Sequence, residues 1–136
     1  TRAQLIVVDA SVMANLVADD GPAGRTARTR LAGETHLAAP DLVDVETVAV
    51  LRKRWRAGDL TARRFKAAVD DLLALPLDRF PTGPLMIRAY GLRSNVTPYD
   101  AAYVALAESL DYPLLTADAR LSRAPGIRCQ VELLSN

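Results

Sequence analysis

Two short apolar stretches carry most of the information about the fold: Leu5-Ile6-Val7-Val8-Asp9 and Leu114-Leu115-Thr116-Ala117-Asp118. Each has the length and the apolar side chains of a buried strand, and each leads into an aspartate. In an open α/β sheet the carboxyl ends of the strands share one edge, and ligands bind in the crevice there. The sequence therefore predicts that Asp9 and Asp118 lie near each other at a ligand site.

Strand and helix patterns alternate along the rest of the chain. The predicted strands are residues 5–8, 36–39, 77–80, 114–116 and 129–133. The predicted helices are residues 11–17, 23–32, 41–57, 61–75, 83–93 and 98–110. Such alternation with short connections is typical of a parallel sheet covered by helices on both faces. We therefore predict a three-layer α/β/α fold with a mainly parallel sheet of about five strands, formed by one domain spanning residues 1–136.

Composition excludes several classes of protein. Half of the 136 residues are hydrophobic, a quarter are charged and the net charge is +1, which is the balance of an ordinary globular domain rather than of a polybasic nucleic-acid or membrane binder. The only cysteine, Cys129, cannot form an internal disulfide or a cysteine metal site. Neither a signal peptide nor an apolar run long enough to cross a membrane is visible, so we expect a cytoplasmic protein with no membrane partner.

A third acidic residue, Glu46, lies within the predicted helix 41–57. Its helical neighbours Leu42 and Val50 are apolar, so the carboxylate projects from an apolar stripe. Nearby Asp44 has a structural explanation, because Asp41 is placed to be the helix N-cap and an acid three residues later favours the helix start. Glu46 has no such explanation and is the preferred site residue.

The fourth acid, Asp100, belongs to Thr97-Pro98-Tyr99-Asp100. Thr97 is a natural N-cap and Pro98 fits the first helical position, so Asp100 also fits the acid of a capping box. Asp9 and Asp118 are equally able to cap the helices that follow them. Gathered at one edge, however, carboxylates repel one another and stay ionised only around a cation. The four acids together predict a divalent-metal site.

At this point the sequence resembles the PIN-domain nucleases, and in particular the VapC-type toxins of bacterial toxin–antitoxin pairs. The likeness covers the whole chain and is carried by Ile6-Val7-Val8-Asp9-Ala10-Ser11, by Ala39-Pro40-Asp41-Leu42 with Glu46, by Thr97-Pro98-Tyr99-Asp100-Ala101-Ala102-Tyr103-Val104-Ala105-Leu106-Ala107, and by Leu114-Leu115-Thr116-Ala117-Asp118. The resemblance implies a Mg²⁺- or Mn²⁺-dependent endoribonuclease with a PIN-like fold. It also implies a homodimer, a cognate VapB-like antitoxin and a higher toxin–antitoxin hetero-oligomer.

Residue by residue, the resemblance assigns catalysis and metal binding to Asp9, Glu46, Asp100 and Asp118, with Ser11 and Thr116 as supporting hydroxyls. We expect Asp9 and Asp100 to be the inner metal ligands. A dehalogenase-type phosphatase is disfavoured because its second acid, two residues after the first, is replaced here by Ser11. A receiver domain is disfavoured because neither Lys53 nor Lys66 is suitably placed. A PIN-like scaffold that binds RNA or a protein without catalysis remains the alternative.

Two further surfaces are assigned from the sequence. The basic end of the helix 41–57 offers Arg52, Arg54 and Arg56 as RNA contacts, although basic residues there also stabilise the helix dipole. An apolar groove beside Asp9 for an amphipathic antitoxin segment is expected from Val12, Leu16, Val17 and Leu31. The alternative for these four residues is packing in the core or in a homodimer interface.

Overall fold

A computed structural model describes residues 5–135. Its strands are β1 Leu5–Val8, β2 His36–Pro40, β3 Leu77–Phe80, β4 Leu114–Thr116 and β5 Val131–Leu133. They form one sheet in the order β3-β2-β1-β4-β5, and all four pairings are parallel. The predicted five-stranded parallel sheet is confirmed.

The helices are α1 Ala10–Ala18, α2 Pro22–Leu31, α3 Val43–Arg56, α4 Ala62–Ala74, α5 Met86–Gly91, α6 Pro98–Leu110 and α7 Ala119–Ser122. The chain moves from β1 through β2 to β3 in one direction, and the helices between these strands, α1 to α4, pack together on one face of the sheet. It then returns to β4 through α5 and α6 on the other face. Helix α1 packs against α2, α3 and α4, while α6 packs against α5 and β1, which gives the three layers.

The core lies between the central strands and the helices on each face. Ile6, Val7 and Val8 of β1 are buried, and every residue of α6 from Ala101 to Ala107 is buried. A helix that is apolar on all sides is stable only when it is covered on all sides, as α6 is. Within residues 5–135 no helix is long and apolar enough to cross a bilayer.

The first turn of α3 differs from the prediction. The helix begins at Val43 with Leu42 at the cap position, so Asp41 is not its N-cap. Instead, the Asp41 carboxylate accepts hydrogen bonds from Thr82 N (3.1 Å) and Thr82 Oγ1 (2.6 Å), on the segment after β3. Asp44 accepts from Arg79 Nε (2.8 Å) and Nη2 (3.0 Å). Both acids thus attach α3 to the β3 region, which explains Asp44 by a tertiary ion pair rather than by capping alone.

Several arginines are used in the same way. Bidentate pairs with carboxylates join α2 to β5, α4 to the α1–α2 connection and α5 to α6, through Arg30–Glu132, Arg64–Asp20 and Arg88–Glu108. The planar guanidinium matches a carboxylate with two parallel hydrogen bonds, which fixes relative orientation as well as distance. Together with Arg79, four arginines therefore connect secondary-structure elements.

The prediction of an open apolar groove beside Asp9 is wrong. Val12, Val17 and Leu31 are buried in the core, with exposed fractions of 0, 4 and 7 %. The physical reason is that α1 lies between the sheet and three other helices, so most of its apolar side chains are covered. Of the four groove residues, only Leu16 is partly exposed.

The bounds of two elements differ from the prediction. Residues 83–85 form a 3₁₀ turn before α5, and the last strand begins at Val131 rather than at Cys129.

Candidate active site

Asp9 is a buried carboxylate at the carboxyl end of β1, and its residue is 4 % exposed. Its Oδ1 accepts hydrogen bonds from Ser11 Oγ (2.6 Å) and from Val12 N (3.1 Å), which makes Asp9 the N-cap of α1. Its Oδ2 accepts from Thr116 Oγ1 (2.5 Å) at the end of the neighbouring strand β4. Each carboxylate oxygen has two acceptor sites, so one site on Oδ2 remains after these three bonds.

The two hydroxyls are themselves fixed by the backbone after β4. Ala117 N donates to Ser11 Oγ (3.0 Å), and Asp118 N donates to Thr116 Oγ1 (3.0 Å). Because each hydroxyl accepts from an amide, its hydrogen is directed at Asp9. Ser11 and Thr116 therefore orient the carboxylate, as expected from the sequence, and they tie the β1–α1 turn to the turn that carries Asp118.

Burial raises the pKa of Asp9 above its ordinary value. The hydrogen bonds from Ser11, Thr116 and Val12 lower the pKa and so offset part of this effect, while the negative charge of Asp118 raises it further. Within residues 5–135 no arginine or lysine forms an ion pair with Asp9. A cation bound at this point would remove the cost of ionising a buried acid.

Glu46 projects from the first turn of α3, and its Oε1 accepts a hydrogen bond of 2.6 Å from Tyr103 Oη. Burial raises the pKa of Glu46, the Tyr103 bond lowers it, and the charges of Asp100 and Asp9 raise it again. Tyr103 is fully buried, and burial followed by the bond to Glu46 raises its phenol pKa, so it stays a donor at neutral pH. The choice of Glu46 over Asp44 agrees with these positions, since Asp44 pairs with Arg79.

Asp100 lies in the first turn of α6, where Thr97 is the N-cap and its Oγ1 accepts from Asp100 N (3.2 Å). Burial raises the pKa of Asp100, and so do the charges of Asp9 and Asp118, while Thr97 and Arg120 lower it. The predicted cap is thus present, and the Asp100 carboxylate lies close enough to Asp9 and Asp118 for their charges to act on it.

Asp118 is the N-cap of α7, with its Oδ1 accepting from Arg120 N (2.9 Å). The Arg120 guanidinium lies 3.7 Å from the same oxygen. The capping role left open by the sequence is therefore real. It does not remove Asp118 from the site, because its charge acts on both Asp9 and Asp100.

The structure brings the four predicted acids to one edge of the sheet, where their charges act on one another. Within residues 5–135 no group of three His, Cys, Asp or Glu side chains is already arranged to hold a metal ion. A site with few direct protein ligands still fits Mg²⁺, which keeps several of its waters. The oxygen-only donors and the free acceptor site on Asp9 Oδ2 fit a hard divalent cation.

The basic residues assigned to RNA are farther away. Arg52 and Arg56 are exposed, and Arg54 Nη2 donates to Asn15 Oδ1 on α1 (2.8 Å). They lie six to ten residues after Glu46 along α3, which is about 9–15 Å of helix axis. Nothing in the structure tests their contact with RNA, so this assignment stays a prediction.

The role of Tyr103 was not predicted from the sequence. Its side chain is buried, and its hydroxyl bonds a site carboxylate. The spacing contained a signal, since Tyr103 follows Asp100 by three residues and therefore lies on the same face of α6.

Comparison with known proteins agrees with this geometry. The PIN domain family matches residues 6–127, which include all four acids. The chain belongs to the PIN-domain family. It is 40% identical over 129 residues to the Mycobacterium tuberculosis protein Ribonuclease VapC1, covering 94% of this chain and 96% of that protein.

Solved structures of other proteins share the fold. The crystal structure of Mycobacterium tuberculosis VapC20, described as a sarcin-ricin loop cleaving toxin, matches with a TM-score of 0.71 and 20% identity, covering 90% of this chain and 96% of the other. The crystal structure of VapBC2 from Rickettsia felis bound to a promoter DNA fragment matches with a TM-score of 0.68 and 13% identity, covering 97% and 100%. At these identities the likeness concerns the fold alone, and the PIN-like three-layer architecture is confirmed.

Proposed function

We propose that this chain is a metal-dependent endoribonuclease that acts as the toxin of a toxin–antitoxin pair. The observation that carries the proposal is the buried Asp9 carboxylate, oriented by two hydroxyls and lacking any ion pair within residues 5–135, beside three further acids. The 40% identical relative is named a ribonuclease, which supports RNA as the substrate.

Asp9 and Asp100 would hold Mg²⁺ or Mn²⁺, and Glu46 and Asp118 would complete or orient the shell. When bound, such an ion activates water and relieves negative charge on the phosphate and the leaving oxygen. Ser11 and Thr116 keep the Asp9 carboxylate in one orientation throughout. Glu46 has one oxygen fixed by Tyr103, and its raised pKa suits its other oxygen, Oε2, to accept a proton from the attacking water.

Cleavage of cellular RNA tests this proposal. Purified protein is incubated with total RNA and Mg²⁺ or Mn²⁺, and the new RNA ends are sequenced. We expect discrete cleavage that EDTA and Asp9→Asn abolish. Asp70→Asn is the matched control, because this exposed acid on α4 pairs with Lys66 on the same helix and should leave cleavage intact. Cleavage that survives in Asp9→Asn would rule out the proposed site.

A VapB-like antitoxin is the proposed partner, since a toxin of this kind must be silenced where it is made. A solved structural neighbour is a VapBC complex, which supports this partner. With Val12, Val17 and Leu31 buried, Leu16 is the residue of the predicted groove that stays available. It lines an open cleft of about 340 Å³ between α1 and the end of α4, together with Leu75.

Co-purification tests the antitoxin. The protein encoded beside this chain is expected to bind it and to inhibit cleavage. Leu16→Asp should weaken that binding in a variant that still cleaves RNA. Leu73→Asp, at an exposed leucine of α4 that does not line the cleft, is the matched control and should bind normally. Equal binding by both variants would contradict a contact at Leu16.

We also propose a homodimer that acts in the cytoplasm, where its RNA substrate is found, and joins a larger hetero-oligomer with the antitoxin. Ile87 and Tyr90 on α5 are 85 and 68 % exposed and give an apolar surface for self-association. Light scattering should find a dimer that Ile87→Asp dissociates, and a dimer unaffected by this change would place the contact elsewhere. Cell fractionation tests the location.

A further inference from the structure

A cavity of about 450 Å³ opens directly beside Asp100 and Asp118. One wall is the α5–α6 connection, with Arg93, Asn95 and Val96. The other wall is α7 with the residues that follow it, and it carries Arg120, Leu121 and Ala124. Its volume lies within the roughly 300–1,000 Å³ of small-molecule sites, and it combines apolar side chains with a few polar ones.

Two arginines give the cavity its chemistry. The Arg120 side chain is 89 % exposed, and its only ion pair within residues 5–135 is the 3.7 Å approach to Asp118, which is too long for a hydrogen bond. On the opposite wall Arg93 stacks on the Tyr90 ring at 4.1 Å and donates one bond to Tyr90 O. Arg120 thus differs from the bidentate arginines of the fold, because it keeps its guanidinium donors available.

We propose that this cavity binds the nucleotide that flanks the cleaved phosphodiester, with Arg120 pairing with its phosphate. The inference rests on the proposed nuclease function and adds to it a defined substrate contact. Val96 and Ala124 are partly exposed and offer apolar contact to a base, and arginine planes such as that of Arg93 stack on unpaired bases. The guanidinium of Arg120 matches phosphate oxygens bidentately.

Charge explains why the subsite depends on the catalytic metal. Asp100 and Asp118 on the cavity wall repel an anion, and Arg93 and Arg120 together only balance their charges. Asp9 and Glu46 add two further negative charges beside this wall, and a divalent cation held by the acids offsets them. The net repulsion of a phosphate is therefore removed when the site is loaded, which couples substrate binding to readiness for cleavage.

The test measures binding without cleavage. All proteins carry Glu46→Gln and are kept in Mg²⁺, and the probe is a fluorescent single-stranded oligoribonucleotide of random sequence. Fluorescence anisotropy gives Kd at several salt concentrations. Arg120→Gln is compared with Arg123→Gln, an exposed arginine three residues further on that does not line the cavity.

We expect Arg120→Gln to weaken binding about tenfold, the loss of one charge-assisted contact. The slope of log affinity against log salt should fall by about 0.7, the value for one phosphate contact of a single strand. Arg120→Lys should retain the slope, and Arg123→Gln should change neither quantity. Equal Kd and slope for Arg120→Gln and Arg123→Gln would overturn the proposal.

Failure of the subsite is distinguishable from failure of the nuclease function. If the unaltered chain cleaves RNA while Arg120→Gln binds the probe normally, the cavity assignment is wrong and the nuclease function stands. If Arg120→Gln binds RNA normally but no longer binds the protein encoded beside this chain, the cavity contacts that protein and the proposal is likewise overturned. A chain that cleaves no RNA with either metal refutes the nuclease function itself.

Discussion

Tyr103→Phe removes one oxygen atom from the core and with it the 2.6 Å bond to Glu46. A bond to a charged acceptor contributes about 1.5–3 kcal/mol. Glu46 is only partly buried and can exchange the lost donor for water, so we expect the lower end, about 1.5 kcal/mol, in the free energy of unfolding. For a chain of this length that is about 5 °C in Tm.

The functional effect of Tyr103→Phe should exceed its effect on stability. The Tyr103 bond lowers the pKa of Glu46, so removing it raises that pKa further. The acidic limb of the pH–rate profile should therefore move to higher pH, and the rate near neutral pH should fall about tenfold as Glu46 loses its fixed orientation.

Thermal unfolding and a pH series of RNA cleavage measure both effects. Tyr112→Phe is the matched control, because Tyr112 lies just before β4 at the opposite edge of the sheet, and no hydrogen bond of its hydroxyl is seen within residues 5–135. That variant should unfold and cleave as the parent does. A Tyr103→Phe protein with an unchanged acidic limb would refute the idea that Tyr103 positions Glu46.

The site carboxyls should destabilise the metal-free protein as the pH rises above about 4, because their pKa values are raised in the folded state, whereas the lowered pKa values of Asp20, Glu108 and Glu132 act in the opposite direction. The difference between melting in EDTA and in Mg²⁺ across pH isolates the contribution of the site, which Mg²⁺ should cancel. Asp9→Asn should melt higher than the parent in EDTA at neutral pH and gain nothing from Mg²⁺; equal responses of the two proteins to metal would exclude the site. Asp44→Asn should lower the free energy of unfolding in urea by about 1–2 kcal/mol, because it weakens the Arg79 pair, and should retain cleavage. Glu46→Gln should abolish cleavage with little change in that free energy. Thr116→Val should weaken metal affinity about 10–100-fold in a calorimetric titration, since Asp9 loses an orienting donor.

The sequence predicted what depends on local pattern. Strand β1, strand β4 and helix α6 follow from short apolar runs and from the cap at Thr97, and the structure has them at the predicted bounds. The meeting of Asp9 and Asp118 follows from strand ends sharing an edge, which any parallel sheet imposes.

The parts that could not be predicted depend on partners distant in the chain. Asp44 pairs with Arg79, thirty-five residues later, and Glu46 bonds Tyr103, fifty-seven residues later. The buried state of Val12 and Val17 depends on which helices cover α1, and periodicity within α1 contains no information about that. Apolar spacing identifies which face of a helix is buried, but not whether a second face is buried as well.

The strand order has a consequence for when this protein becomes active during its synthesis. Asp9 is made first, but its orienting partner Thr116 follows 107 residues later, on the strand that pairs with β1 from the other side. A growing chain that has emerged only as far as β3 contains Asp9 and Glu46 without Asp100 or β4. The nascent polypeptide is therefore inactive at this stage, and RNA beside the ribosome meets a complete nuclease only once β4 has emerged and paired with β1.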